Sequence, residues 1–293
     1  MSALYDGNRK INTIHILGMY RQNEAYLSFL FKRFHEWEVY YQDVTFIYYF
    51  IENNSKDNTR ELLTKFIKDR PKSKLVLYNL KKDYENVGDG TNFNRISTLT
   101  KLRNLLIDKI TPLPKNEWAL FIDSNIYFQD DILSSMFDQV KPTDENIGMM
   151  SAYSQQLFLP KLHSPNLTKP AILSHYYDTY SVVDTNNISF FPKCPFEKCK
   201  VCTRKAQNTD KTMTTPRIKK DQPVAEVNSC FGGFVLIKTD VLNHPQIRWS
   251  TMCLNLDEDK STCEHWAFCD RLRNIMKLKI VVLQNVDAIY RTI

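Results

Sequence analysis

Residues 117–128 read Glu117-Trp118-Ala119-Leu120-Phe121-Ile122-Asp123-Ser124-Asn125-Ile126-Tyr127-Phe128. An unbroken apolar run ends abruptly in Asp123-Ser124-Asn125, and apolar residues then resume. A run without polar alternation reads as a strand covered on both faces, the kind found in sheets sandwiched between helices. A carboxylate at the carboxyl end of such a strand lies where open α/β sheets bind ligands. The plainer reading is that Asp123 caps the next turn or helix, since Asp and Asn are favoured caps.

Working outward, the flanking segments repeat this alternation. Residues 11–17, 44–51 and 75–80 are strand candidates. Residues 24–37 space Leu27, Leu30, Phe31 and Phe34 along one helical face, residues 60–69 do the same with Leu62, Leu63, Phe66 and Ile67, and residues 96–110 form a third helix. Strands alternating with helices imply an α/β fold, here a single Rossmann-like domain with a mostly parallel central sheet flanked by helices. The second half is less regular. Residues 148–152, 231–238 and 279–283 read as strands and 263–276 as a helix. Residues 194–221 are polar, basic and poor in large apolar residues, and read as a long loop. No repeat or linker divides the chain, so one domain over 1–293 is expected, with 11–128 as the ligand-binding half at the sheet edge and 129–293 as the other half.

Hydrophobic residues make up 43% of the chain and charged residues 25%, as in ordinary globular proteins. With only 7 glycines, there is no glycine-rich phosphate loop and no G-x-G-x-x-G or P-loop pattern. The net charge of +6 suits an anionic ligand, and no nucleic-acid-binding module is recognisable. No stretch approaches the roughly 20 apolar residues that span a bilayer, and residues 1–10 lack the apolar core of a signal peptide. A cytoplasmic location, or one left open, is the expectation. The 7 cysteines do not read as a disulfide framework.

Several residues are candidates for chemistry. The run from Glu52 to Ser55 follows a strand at the same sheet edge as Asp123; polar side chains there can bind a base or ribose, or simply start the next helix, with Ser55 or Asp57 as its cap. Arg95 and Arg103 lie on one helix, where an arginine can clamp a diphosphate or be merely solvated. A cation that bridges phosphates needs hard oxygen ligands, and Asp123 with Asn125 offers a carboxylate and an amide for Mn²⁺ or Mg²⁺. Glu264 at a helix start could act as a base or stabilise developing positive charge, and His265 could be a metal ligand or a packed histidine. Cys194, Cys199 and Cys202 lack a fourth ligand at zinc-site spacing and read as free thiols. A G-x-S-x-G elbow and the deaminase zinc signature are both missing, which argues against those hydrolases and base-modifying enzymes.

Taken in order, these segments resemble the cryptococcal capsule-associated α-1,3-mannosyltransferase family. The matching pieces are Phe50 to Leu63, Arg95-Ile96 with Leu102-Arg103-Asn104, Phe121 to Phe128, Tyr177-Asp178-Thr179, Val227 to Phe234, and Cys263-Glu264. The resemblance spans about residues 14–290 and implies a GT-A glycosyltransferase with a sugar-nucleotide donor, GDP-mannose or a UDP-sugar, a saccharide or glycoconjugate acceptor, and a divalent metal such as Mn²⁺. It also implies retention of anomeric configuration. By position it places Glu52, Ser55, Arg95, Arg103 and Ser124 with the nucleotide sugar, Asp123, Asn125 and His265 with the metal, and Glu264 and Asp178 with catalysis. The family commonly carries Asn-Asp-Val where this chain has Asp-Ser-Asn. Rival readings of the same sheet edge are a nucleotidyltransferase, a sugar-nucleotide hydrolase, or a non-catalytic carbohydrate-binding protein.

Overall fold

The architecture comes from a computed structural model, which describes residues 3–80, 93–140, 146–158, 170–176, 178, 181–186, 222–251 and 263–291. The basic segment 194–221, with Cys194, Cys199 and Cys202, lies outside the described residues.

A short hairpin of β1 (Tyr5–Asp6) and β2 (Arg9–Lys10) leads into β3 (Thr13–Tyr20), α1 (Glu24–Tyr40), β4 (Thr45–Glu52), α2 (Thr59–Lys68) and β5 (Lys74–Leu77). Then come α3 (Phe93–Ile110), β6 (Trp118–Ile122), β7 (Ile126–Tyr127), α4 (Ile132–Gln139), β8 (Ile147–Phe158) and β9 (Ala171–Tyr176). The chain continues through β10 (Val224–Val227), β11 (Phe234–Lys238), α5 (Thr239–Asn243), α6 (Glu264–Met276) and β12 (Lys279–Arg291).

All strands except β1 and β2 join one sheet in the order β10-β12-β8-β11-β6-β3-β4-β5, with β7 added on β12 and β9 on β8. The expected parallel arrangement holds for β5, β4, β3 and β6. Beyond β6 the sheet is mixed rather than mostly parallel. The strand β11 runs antiparallel to both β6 and β8, while β12 runs parallel to β8. The reversal has a local cause. The turn that launches β11 sits at the carboxyl end of β6, where Asp123 N donates to Gly233 O at 2.9 Å, so the chain can only run back along β6.

All five residues of β6 are buried. Trp118, Leu120 and Ile122 pack into a core with Phe34 and Trp37 of α1, Phe66 of α2 and Phe137 of α4. Ala119 and Phe121 point the other way, into a core with Leu106 of α3, Leu242 of α5 and Phe268 of α6. Both faces are therefore covered, which is why the sequence shows an apolar run and not an alternation. Each large apolar side chain so buried contributes about 1.5–3 kcal/mol of transfer free energy. The two layers fix the carboxyl ends of β3, β4 and β6 side by side, and the cleft opens there.

Candidate active site

A cleft of about 440 Å³ lies at this sheet edge. Met19 and Tyr20 end β3 and Arg21 follows it, Asn53 follows β4, and Asp123, Ser124 and Asn125 follow β6; Arg95 and Arg103 reach in from α3, and Glu264 and His265 from the first turn of α6. Asp178, Phe231, Gly233 and Tyr290 complete the wall. Of the residues singled out in the sequence, Arg95, Arg103, Asp123, Ser124, Asn125, Asp178, Glu264 and His265 thus meet in one place. Arg95 and Arg103 stand eight positions apart on the helix, a spacing that does not guarantee a common face, yet both line the cleft.

Glu52 and Ser55 do not line it. Glu52 is fully buried and accepts hydrogen bonds from Ser55 N at 2.7 Å and from Arg60 Nε at 2.6 Å. Ser55 Oγ accepts from Gln22 N at 3.2 Å. Both brace the loop that presents Asn53. Neither Ser55 nor Asp57 is the N-cap of α2, which is Asn58, but the Asp57 carboxylate braces the helix starts. Its oxygens accept from Thr59 N of α2 and Glu24 N of α1, each at 3.1 Å.

The Asp123 carboxylate accepts no hydrogen bond among the described residues, although its backbone carbonyl accepts from Ile126 N at 3.4 Å. Burial pushes its carboxyl up to about 6, with Asp178 and Glu264 adding to the rise and Arg103 and Arg95 opposing it. Its backbone is held by the Gly232-Gly233 turn, in which both glycines have positive φ, +68° and +73°. A Cβ on Gly233 would lie 2.9 Å from Asp123 Oδ2. Gly232 N donates to Asp178 Oδ2 at 3.3 Å, so one turn seats two carboxylates. Asn125 Nδ2 donates to Arg291 O at 3.1 Å, which leaves Oδ1 as the ligand atom it can offer.

Arg103 and Glu264 form a buried ion pair, and the guanidinium also lies 5.0 Å over the Phe231 ring. Burial disfavours the Glu264 carboxylate, but His265 and Arg103 favour it more, and it titrates at about 2. Burial, aided by Arg103, pushes His265 down to about 3. The imidazole is therefore neutral at pH 7, and Arg103 is the charge that keeps Glu264 ionised.

These features match a known family along most of the chain. A profile described as cryptococcal mannosyltransferase 1 matches residues 20–269. The chain belongs to the cryptococcal mannosyltransferase 1 family. Curated proteins give no significant match. Among solved structures, GalNAc-T7 with UDP, GalNAc and Mn²⁺ aligns at a TM-score of 0.52 and 12% identity, over 98% of this chain and 44% of that one. The mannosyltransferase PcManGT from Pyrobaculum calidifontis, solved with GDP-Man and Mn²⁺, aligns at 0.50 and 11% identity, over 97% of this chain and 58% of that one. TarS of S. aureus aligns at 0.48 and 14% identity, over 95% of this chain and 60% of that one. The chain thus spans less than two thirds of these proteins' lengths. The fold is that of the GT-A glycosyltransferases. No helix among the described residues is long and apolar enough to cross a membrane.

The donor set can be tested against the metal that the family implies. The cluster Cys263, Glu264 and His265 has its ligand atoms within 4.8 Å of one another, but it suits a cation poorly. The Arg103 guanidinium already occupies Glu264, and burial raises the Cys263 thiol well above its ordinary range. The unpartnered Asp123 carboxylate and Asn125 Oδ1 are hard oxygen donors and fit Mn²⁺ or Mg²⁺.

The sequence reading named no site residue in the Gly232-Gly233 turn, nor Tyr290 or Trp249, and covered Asn53 only within the polar run Glu52 to Ser55. The adjacent glycines carried a signal: a pair standing together in a chain with 7 in all marks a backbone that no other residue can adopt.

Proposed function

We propose that the protein transfers mannose or a similar hexose from a nucleoside diphosphate sugar, with GDP-mannose the first donor to test and UDP-sugars the next, to a hydroxyl of a saccharide or glycoconjugate. One observation carries this reading. A half-buried carboxylate without a hydrogen-bond partner, Asp123, faces the cationic Arg95 and Arg103 across a cleft at the end of parallel strands. Such a site suits a metal-bridged diphosphate between the two signs of charge.

Asp123 and Asn125 would hold the Mn²⁺ or Mg²⁺, which when bound neutralises the departing diphosphate. Arg95 and Arg103 lie on the other side of that charge and stabilise it from preset positions. Asn53 and Ser124 would contact the nucleotide, with Glu52 and Ser55 shaping the loop behind Asn53. The bond from the anomeric carbon to the diphosphate oxygen breaks with its electron pair going to that oxygen, and the acceptor hydroxyl oxygen bonds to the carbon. Glu264, ionised far below neutral pH, is a weak base but a strong anion, so its role is to stabilise oxocarbenium character. Asp178 then takes the acceptor proton. In this reading configuration is retained, 11–128 binds the donor, and 129–293, with its basic segment 194–221, serves the acceptor.

Incubation with a panel of GDP- and UDP-sugars, with and without Mn²⁺, tests the proposal through donor turnover and thermal shift. Turnover or nucleotide-dependent stabilisation with one donor is expected. No turnover and no shift with any donor would sink the transferase reading.

A further inference from the structure

Trp249 and His265 are both buried, and Trp249 Nε1 lies 3.2 Å from His265 Nδ1. An indole nitrogen only donates, so Nδ1 must present its lone pair. The neutral imidazole then carries its proton on Nε2. That atom lies 3.6 Å from Glu264 Oε1, beyond hydrogen-bond reach, and makes no hydrogen bond among the described residues. A histidine that ligates a metal through one nitrogen ordinarily donates from the other, to a carboxylate or carbonyl. Here the other nitrogen accepts, so Nε2 could bind a cation only as an imidazolate or by breaking the Trp249 bond.

Trp249 is itself held twice, by its backbone and by its ring. Asn104, the neighbour of Arg103 on α3, accepts from Trp249 N at 3.0 Å and donates to Trp249 O at 2.9 Å. The Trp249 ring stacks on Phe268 of α6 with centroids 4.1 Å apart and planes 13° apart. His265 is stacked in turn on Phe231, at 3.9 Å and 21°. Turning the imidazole over would break the bond from Trp249 Nε1.

We infer that Asn104 and Trp249 are positioning residues that lock His265 as the Nε2–H tautomer, so that His265 is not a metal ligand and instead donates a hydrogen bond to an oxygen of the sugar diphosphate in the cleft. The second half of this assignment rests on the proposed function; the tautomer does not.

Two measurements on the full chain separate these parts. Two-bond ¹⁵N–¹H correlation spectra at pH 7, without ligand, read the tautomer. A pyrrole-type Nε2 and a pyridine-type Nδ1 are expected, with the Nδ1 resonance moving in Trp249→Phe. A pyridine-type Nε2 overturns the inference whether or not any donor binds. Paramagnetic resonance titration with Mn²⁺ alone reads ligation. His265→Gln and His265→Phe should bind Mn²⁺ within about twofold of the parent, while Asp123→Asn weakens it about tenfold or more. Loss in His265→Gln equal to that in Asp123→Asn overturns the inference. With GDP-mannose, or whichever donor the panel selects, Gln can donate where Nε2 did, so His265→Gln should keep most of the affinity that His265→Phe loses. Equal loss in both rejects the donor role. A parent protein that binds neither Mn²⁺ nor any sugar nucleotide contradicts the proposed function and, with it, the donor role, while the nitrogen resonances still decide the tautomer.

Discussion

Arg103 and Glu264 stand 161 positions apart in the chain and form an ion pair in which each side chain is 6% exposed. The pair ties α3 to the first turn of α6 and places a guanidinium and a carboxylate on adjoining walls of the cleft. An acidic residue in the first turn also suits the helix dipole. A buried pair of this kind adds little over two apolar residues, but losing one partner strands the other charge. Glu264→Gln should therefore cost about 3–5 kcal/mol in urea unfolding at pH 7, and Arg103→Met/Glu264→Met should recover much of it. The pH dependence has a definite sign. The folded carboxyl titrates at about 2 against an ordinary 4.5, so its contribution is complete above pH 4.5 and is lost as pH falls toward 2. Glu264→Gln should flatten the acid limb of the stability curve in that window.

Asp123 behaves in the opposite way. Its folded carboxyl is raised to about 6 from 3.8, so the metal-free protein loses stability as pH rises from about 4 to above 6. A rise of that size corresponds to about 3 kcal/mol for the fully ionised group. Asp123→Asn should accordingly raise the melting temperature of the metal-free protein at pH 8 and change it little at pH 4. Mn²⁺ should stabilise the parent and not the variant. A variant less stable than the parent at pH 8 without metal would mean that the carboxylate has a partner that offsets its burial.

The parallel half of the fold was legible because its strands are buried on both faces and stop at polar residues: the runs before Glu52 and Asp123 announce both strand and cleft. The antiparallel half showed its strands only in part, as 148–152 in β8, 231–238 around β11 and 279–283 in β12. In β8, Ser151 and Ser154 break the apolar run, but their hydroxyls are buried and bonded to Phe231 O and Gly232 O. Likewise β12 runs on through Gln284 and Asp287, where a bulge between Leu283 and Asp287 shifts its register against β8. The helix Ile132–Gln139 was missed because its single apolar face is only two turns long. Within the site, residue type could nominate Arg103, Asp123 and Glu264. It could not show that Glu52 is turned toward Arg60, or that Trp249 settles which nitrogen of His265 bears the proton, because those facts depend on partners distant in sequence.

The Gly232-Gly233 turn predicts a defect out of proportion to the atoms added. At φ +73° an alanine is strained, and its methyl would press on Asp123 Oδ2. Gly233→Ala should cost about 1–2 kcal/mol from backbone strain alone. It should also weaken Mn²⁺ binding by displacing the carboxylate. Gly7, at φ 62° in the β1–β2 hairpin, is the control: Gly7→Ala carries a similar strain and should leave Mn²⁺ affinity unchanged. Equal Mn²⁺ affinity in the two variants would separate the turn from the metal site.

Glu52 gives the last prediction, because its burial distinguishes bracing the nucleotide loop from touching the nucleotide. Both its oxygens are engaged, one by Ser55 N and the other by Arg60 Nε, and Arg60 also donates to Asn79 Oδ1 at 2.9 Å. Glu52→Gln would set an amide N–H against the Arg60 fork or against Ser55 N, and Arg60→Ala would leave a buried carboxylate short of a partner. Each should cost about 1–3 kcal/mol of stability. Both should loosen Asn53, which lines the cleft directly behind this network. A bracing role predicts that the two variants weaken GDP and UDP binding alike, by a similar factor, in calorimetric titration. A contact role predicts that Glu52→Gln weakens one nucleotide far more than the other while Arg60→Ala spares both. The side-chain pairing seen here requires the first pattern.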